Sequence, residues 1–494
     1  MDLTPIVVSP PPAGIARLFA AFAPVKRAEV LTVALLSLNV FLLLTCYYVL
    51  KVVREPLILL GGGAELKAYA SAGQTLLLLG VVPAFSWLSG RVSRLRLMTT
   101  MQLIFIGCLI AFYVLAEARA PIGLAFYLWL GIFNVLVVSN FWSFANDLYT
   151  EEEGKRLFGL IGVGASVGAI LGAFVPHLLH AVIGVRGLML VAVTGLAVSI
   201  LLYQVIDRRE RQRKDLVRSA RVKAKGGDGT AAQVHDKKGG FTLVIKDRYL
   251  RILAVMLLVA TIINTTGEYV IGKMATERSA AFAAEQAAAP PALAPSDATA
   301  SATVGAIDAT QATKDAKDAN HAAQDAYLST FYSDYYTLVN LLSALLQGFL
   351  VTRILMSLGV RRALFIMPLV VLGGWFALIL FASVVTVRIE KTAENSLDYS
   401  LHNTLRQALF LPTSAEAKFK AKAAIDTFFF RMGDVIAGVG VVFLLVEVLG
   451  LGVRAFAILN VGLAVVWLLL AARAGQLYAK LDVQPPSDVK TPGA

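Results

Sequence analysis

Long apolar runs recur along the whole chain, and they limit what it can fold into more than any other feature. Two of them, 31–50 and 435–451, are close to the roughly 20 residues that an α-helix needs to cross a bilayer. Over 494 residues the mean hydropathy is +0.70, and only 16% of residues are charged, against about a quarter in soluble domains. Strand-like alternation is rare, so helices must satisfy the backbone hydrogen bonds in lipid. The sequence therefore predicts an all-α, multi-pass membrane protein.

Twelve spans are predicted, six on each side of a basic segment. They run over 30–53, 66–89, 97–116, 122–147, 157–181, 186–206, 250–273, 328–352, 363–383, 384–412, 425–449 and 452–474. Basic residues concentrate in the loops after the second, fourth, eighth and tenth spans, which the positive-inside rule assigns to the cytosol. Both termini are then cytosolic. The net charge of +12 is a topology signal, so nucleic acid is not predicted as a partner.

The predicted domain organisation follows from this count. The parts are a cytosolic tail (1–29), a six-helix half (30–206), a basic cytosolic linker (207–249), a second six-helix half (250–474) and a cytosolic tail (475–494). Within the second half, 275–327 is rich in alanine and proline and is predicted to be an external loop, disordered with some nascent helix. Two six-helix halves joined by a basic linker are the layout of the major facilitator fold, in which the halves rock about a midplane site.

Two smaller patterns have structural interpretations. Gly164, Gly168 and Gly172 repeat every four residues and predict close helix packing. His177 and His180 share a helix face but have no third metal ligand nearby, so they predict interfacial hydrogen bonds. The sequence shows no catalytic triad, zinc motif or cofactor fingerprint. Neither an enzyme, nor a cofactor, nor a metal site is predicted.

The stretch 388–414 (RIEKTAENSLDYSLHNTLRQALFLPTS) carries charges where the chain must cross the membrane. Positions 388, 391, 395, 398, 402 and 406 follow the three-and-four spacing of one helix face. A charge at the centre of a lipid-facing helix costs at least about 2.5–3.5 kcal/mol, so these residues should face a wet cavity or one another. They form either a polar path for an anionic solute or protons, or a salt-bridged helix that stabilises the fold.

Polar residues in other spans complete a candidate substrate site. Its members are Lys51, Arg54, Asn146, Glu268, Lys273, Arg388, Asp398, His402, Asn403 and Arg406. The basic members would attract an organic anion, and nearby aromatic rings could stack on a ring of the substrate.

Three blocks of the chain resemble the ATP/ADP translocase (nucleotide transporter) family of plastids and intracellular bacteria. They are 47–67 (YYVLKVVREPLILLGGGAELK), 141–165 (FWSFANDLYTEEEGKRLFGLIGVGA) and 394–434 (ENSLDYSLHNTLRQALFLPTSAEAKFKAKAAIDTFFFRMGD). The resemblance implies nucleotide exchange across a membrane and places two of the family's basic positions at Arg54 and Arg406. After Tyr-Ser-Leu the family has Asp-Pro-x-Lys-Glu, whereas this chain has HNTLRQ, with Gln407 in place of the acid.

Three hypotheses follow. The first is a nucleotide exchanger of the ATP/ADP type in a bacterial inner membrane, working by alternating access. The second is a transporter of another organic anion or amphiphile, coupled to protons through Glu268, Asp398 or His402. The third is a membrane scaffold that transports nothing. The predicted partners are the transported solute and the lipid bilayer.

Overall fold

The computed structural model describes residues 27–89, 91–92, 94–149, 151–221, 240–288, 307–414, 417 and 421–482. All regular secondary structure in these ranges is helical. The predicted tail 1–29 lies almost wholly outside the described residues, as does the middle of the predicted linker.

The first half of the described chain forms six helical passes. Arg27–Ser89 is interrupted at Gly62 and Gly63 and so provides α1 (27–61) and α2 (64–89). Then come α3 (Arg94–Glu117) and α4 (Gly123–Leu148). Glu151–Arg221 is interrupted at Gly184 and provides α5 (151–183) and α6 (185–221). Gly63 and Gly184 have φ angles of 75° and 63°, a left-handed conformation that glycine adopts without steric cost.

The second half repeats the arrangement after a short helix, Gly240–Lys246. Its passes are α7 (Arg248–Ala288), α8 (307–358), α9 (Ile366–Leu380), α10 (384–408), α11 (422–448) and α12 (Val453–Asp482). In α10 one π-helical turn, Asp398–His402, separates two α-helical parts. The twelve passes agree with the predicted fold class.

By length and apolarity alone, seven helical stretches of the described chain could cross a membrane. Two of these, Glu29–Phe85 and Arg156–Glu210, each contain a glycine break and therefore two passes. The other three passes do not meet these limits of length and apolarity. The helix α9 is short, α10 is charged, and π-helical turns divide α11 into short pieces.

Four helices, α6, α7, α8 and α12, are longer than the spans predicted from the sequence. Residues 207–221 continue α6, so this part of the basic linker is helical. The segment 275–327, predicted to be disordered with some nascent helix, is helical over 275–288 and 307–327, because alanine, its commonest residue, is the best helix former. The predicted tail 475–494 begins with the last turns of α12, which ends at Asp482.

Each half has its own apolar core. In the first half, α1, α3, α4, α5 and α6 bury a cluster that includes Phe126, Phe133 and Leu188. A second cluster joins α7–α12 and also takes in residues of α1 and α2, among them Val52 and Ala64. Large apolar side chains on the outside remain exposed, as expected for helices that contact lipid.

The glycine repeat of α5 packs against α1. A Cβ atom at Gly164, Gly168 or Gly172 would collide with the backbone carbonyl of Ser37, Phe41 or Thr45, respectively. The helices can approach this closely only because these positions lack a side chain, which confirms the packing interpretation.

The two ends of the bundle are called here the near face, where α1 begins at Arg27, and the far face, where α1 ends. On the far face the halves are tied together by polar contacts. Glu65 of α2 bonds Lys273 of α7 at 2.8 Å, and Arg119 of the α3–α4 loop pairs with Asp318 of α8 at 2.9 Å.

His177 and His180 of α5 also belong to the far face. The ring of His180 hydrogen-bonds Asp325 of α8 at 3.3 Å. The backbone N–H of His177 donates to the Ser333 hydroxyl of α8 at 3.1 Å, and its ring lies 2.9 Å from Asp334, so both histidines make the interfacial hydrogen bonds that were predicted. The far face is therefore closed.

Candidate substrate cavity

A polar cavity of about 210 Å³ lies between the two halves. It is lined by Tyr47, Lys51, Arg54, Lys67, Ala68, Ser71, Tyr127, Asn264, Thr265, Glu268, Tyr269, Tyr336, Asn395, Tyr399 and Asp434. These residues come from seven helices, α1, α2, α4, α7, α8, α10 and α11, so that both halves contribute.

Glu55 is the centre of the charge network on the first-half side of the cavity. It is fully buried, and its carboxylate pairs with the neighbouring Arg54 and, at 2.7 Å, with Lys67 of α2. The hydroxyl of Tyr336 donates a third bond to it at 3.0 Å. Such buried charges are tolerated because each has a partner of opposite sign.

Glu268 of α7 extends this network into the second half. One of its oxygens lies 3.3 Å from the ammonium of Lys67. The other accepts a hydrogen bond of 3.2 Å from Asn395 of α10, which also donates to the Tyr335 hydroxyl at 2.6 Å. Lys67 therefore bridges Glu55 in the first half and Glu268 in the second.

Lys51 differs from the other cations of the cavity. Its ammonium lies 4.1 Å from the ring centre of Tyr336, 5.2 Å from that of Tyr48 and 6.0 Å from that of Tyr399. Among the described residues no carboxylate forms an ion pair with it, although Lys51 is only 9% exposed. Three aromatic faces stabilise the cation without neutralising it.

Three of the ten candidate site residues predicted from sequence line this cavity, namely Lys51, Arg54 and Glu268. Lys273 is part of the far-face contact with Glu65, and Arg388 lies 3.7 Å from Asp334 on the same face. Asn146 is exposed towards the near end of α4.

The other four candidates lie on the near-face half of α10, outside the cavity lining. They are Asp398, His402, Asn403 and Arg406. The His402 ring packs edge-on against Trp467 of α12. A π-helical turn adds a residue to the helical repeat, so the face formed by Lys391, Asn395 and Tyr399 does not continue through His402 and Arg406.

Several residues in or beside the cavity were not selected from the sequence. Glu55 and Lys67 stood within the block 47–67, and Tyr399 directly follows the candidate Asp398. A carboxylate directly beside Arg54 in an apolar helix was the available signal, because a charge buried in a span requires a partner.

Arg406 provides a prediction about the near-face part of α10. Its guanidinium lies 3.8 Å from a carboxylate oxygen of Asp426 on α11 and donates a bond of 3.3 Å to Asn403. Both charges are partly exposed, and such pairs contribute about 1 kcal/mol or less. We expect Arg406→Ala and the double variant with Asp426→Asn to fold and to unfold within a few degrees of the wild type.

Transport assays on these folded variants decide the role of Arg406. If Arg406→Ala is stable but inactive and the double variant stays inactive, Arg406 contacts the solute. Recovery of transport in the double variant would show that Arg406 acts only through Asp426.

Comparison with known proteins agrees with this architecture. The family model described as the Major Facilitator Superfamily matches residues 31–284. No curated protein sequence matches the chain.

Solved structures share the fold at low sequence identity. A POT family transporter in complex with 5-aminolevulinic acid has a TM-score of 0.56 and 13% identity, over 91% of this chain and 96% of that one. A bacterial homologue of the human lysosomal transporter Spinster, inward-facing and unoccupied, has a TM-score of 0.52 and 12% identity, over 94% and 100%. The nucleoside transporter NupG has a TM-score of 0.52 and 10% identity, over 92% and 100%.

Two six-helix halves around a closed-ended polar cavity define a membrane transporter. The chain belongs to the Major Facilitator Superfamily.

Proposed function

We propose that the protein carries a small organic anion or zwitterion across the membrane by alternating access, with Lys51 as the main contact of the anionic group. The observation that supports this most is the ammonium of Lys51, which faces the cavity among three aromatic rings and has no carboxylate partner in the described chain. A solute anion would supply the missing charge, and an ion pair in a water-poor cavity is stronger than one in water.

The charge balance of the cavity favours a solute of low net charge. Arg54 and Lys67 are already neutralised by Glu55 and Glu268, and Asp434 accepts a bond from Thr265. Lys51 is left as the one lining cation without an acidic partner among the described residues. A single carboxylate or phosphate monoester matches this balance better than a triphosphate.

Nucleotide exchange of the ATP/ADP type remains the second candidate. The block 47–67, which resembles the nucleotide exchangers, supplies Tyr47, Lys51, Arg54 and Lys67 to the cavity. The cavity would have to widen for such a substrate, because pockets for drug-sized ligands measure about 300–1,000 Å³ and this one about 210 Å³.

The bridge through Lys67 suggests how binding could open the far face. An anion near Lys51 and Arg54 competes with Glu268 for the ammonium of Lys67, which lies 3.3 Å from Glu268. Loss of that bond weakens one of the links between α2 and α7. The solute would thereby favour the state in which the halves separate at the far face.

Counterflow in proteoliposomes tests this function. Vesicles are loaded with an unlabelled solute, and entry of the same labelled solute is followed for 5-aminolevulinic acid, a dipeptide, a nucleoside and ADP. We expect saturable exchange of a solute that carries one carboxylate. Exchange of ADP alone would favour the nucleotide candidate, and no exchange above empty vesicles for any of the four would contradict the proposal.

The orientation of the chain is a separate prediction. Arginines of the near face, which the positive-inside rule places in the cytosol, include Arg91, Arg96, Arg353, Arg361 and Arg362. In a bacterial inner membrane we therefore expect both termini in the cytosol and the far face outside.

Cysteine labelling in intact cells measures this orientation. In a chain with Cys46 and Cys108 replaced by alanine, an impermeant thiol reagent should label Gln311→Cys, exposed on α8, and leave Ser414→Cys, exposed after α10, unlabelled until the cells are lysed. The reverse pattern would invert the topology.

A further inference from the structure

A buried carboxyl group beside the cavity lacks a hydrogen-bond donor. Glu390 of α10 is 4% exposed, and neither of its oxygens has a donor among the described residues. Glu394 lies one turn further along the same helix and is 1% exposed. Two ionised carboxylates have no hydrogen to share, so the two groups can bond each other only when one of them carries a proton.

The fold makes room for these side chains. Gly374 of α9 packs against Glu390, and a Cβ atom there would overlap the Glu390 side chain. Gly267 of α7 likewise leaves space for Lys391, because a Cβ atom at Gly267 would lie only 2.9 Å from the Cδ atom of Lys391. The charged segment of α10 is thus fitted between α7 and α9.

The neighbouring charges balance one carboxylate but not two. Lys391 is fully buried and pairs with Glu394 at 2.8 Å. The other ionisable groups near this pair are Glu268 on α7, Tyr335 on α8 and Asp398 on α10. The described part of α9, Ile366–Leu380, contains no ionisable side chain. With both glutamates ionised the site would hold an excess negative charge away from water, which is costly.

The site is one hydrogen bond away from the cavity. Asn264 lines the cavity, and its side-chain oxygen accepts a bond of 2.8 Å from the ammonium of Lys391. One turn after Lys391, Asn395 bonds the cavity residue Glu268. A change in the charge of the glutamate pair therefore acts on Lys391 and, through it, on the cavity wall.

From this geometry we propose that Glu390 and Glu394 form a proton-binding site that couples solute movement to a proton. The proton lies between the two carboxyl groups and leaves to water when the cavity reopens. Lys391 then has two carboxylates to neutralise, and its bond to Asn264 weakens. The coupling role rests on the proposed transport function, whereas the proton site itself does not.

Infrared spectroscopy of the purified protein tests the proton site without any solute. At neutral pH we expect the carbonyl stretching band of a protonated carboxyl group, shifted in heavy water and missing in Glu390→Gln. Gln has the shape of the neutral acid, so this variant should fold. Glu285→Gln, exposed on α7, is the matched control and should keep the band. Absence of the band from the wild type, or its survival in both Glu390→Gln and Glu394→Gln, would overturn the site.

Transport assays then test the coupling. With the solute that performs best in counterflow, a pH gradient should raise the uptake of the wild type several-fold. In Glu390→Gln the gradient should have no effect, while exchange at equal pH continues. Uptake that follows the gradient equally in both proteins would overturn the coupling. If no solute is transported at all, the proposed function fails while the infrared result still decides the site.

Discussion

Replacing Lys51 with glutamine is expected to weaken solute transport strongly while leaving the protein folded. A hydrogen bond to a charged group contributes about 1.5–3 kcal/mol, so the apparent affinity in counterflow should fall roughly tenfold to a hundredfold. Stability should be unaffected or improved, because the ammonium is buried without an acidic partner in the described chain. Lys51→Arg keeps the charge and should retain part of the transport.

The control for this variant is Lys314→Gln, since Lys314 is an exposed residue of α8 far from the cavity. It should transport like the wild type. A contrary result would be a Lys51→Gln protein that melts at a lower temperature and transports with unchanged affinity. Lys51 would then be a structural cation held by Tyr48, Tyr336 and Tyr399.

Glu55→Gln is expected to cause the largest loss of stability. The carboxylate is fully buried and partners Arg54, Lys67 and Tyr336 at once. Its removal leaves two buried cations with one remaining acid, Glu268, and breaking a buried pair in this way costs about 3–5 kcal/mol. The midpoint of thermal unfolding in detergent should fall clearly below that of the wild type.

A second substitution tests whether the stability lost in Glu55→Gln comes from the missing negative charge. Adding Lys67→Met to Glu55→Gln removes one uncompensated cation and should restore part of the lost stability, because the two side chains are directly coupled. Glu285→Gln, which breaks an exposed pair with Arg278, should have little effect. Equal melting of Glu55→Gln and the wild type would mean that the network is not a source of stability.

The fold could be predicted from the sequence because apolar runs mark most of the passes and the basic loops show on which side of the membrane each pass ends. The end of α1 was less predictable. The apolar run stops near Lys51 and Arg54, whereas the helix continues to residue 61, because these charges face the interior of the bundle. Mean hydropathy is averaged over all residues of a helix, so it does not show whether a charged side chain faces lipid or the interior of the bundle.

The candidate site was harder to predict, because the sequence does not show which face of a helix points into the cavity. Of the charges within spans that the sequence singled out, Lys51, Arg54 and Glu268 line the cavity. The regular spacing along α10 placed His402 and Arg406 on the same face as Lys391, but the π-helical turn Asp398–His402 breaks that register. Such a turn has no recognisable sequence pattern here. The partners of Glu55 could not be predicted either, because they depend on packing between helices that are distant in sequence.

Locking the far face tests the alternating-access account most directly. Ala64 of α2 and Gly272 of α7 belong to opposite halves, and a Cβ atom on Gly272 would lie 3.5 Å from that of Ala64. This separation suits a disulfide, whose Cβ atoms are about 3.5–4.5 Å apart. In proteoliposomes, Ala64→Cys/Gly272→Cys in a background without Cys46 and Cys108 should exchange no solute when oxidised and should recover on reduction. Exchange by the oxidised protein at the rate of the reduced one would contradict the account.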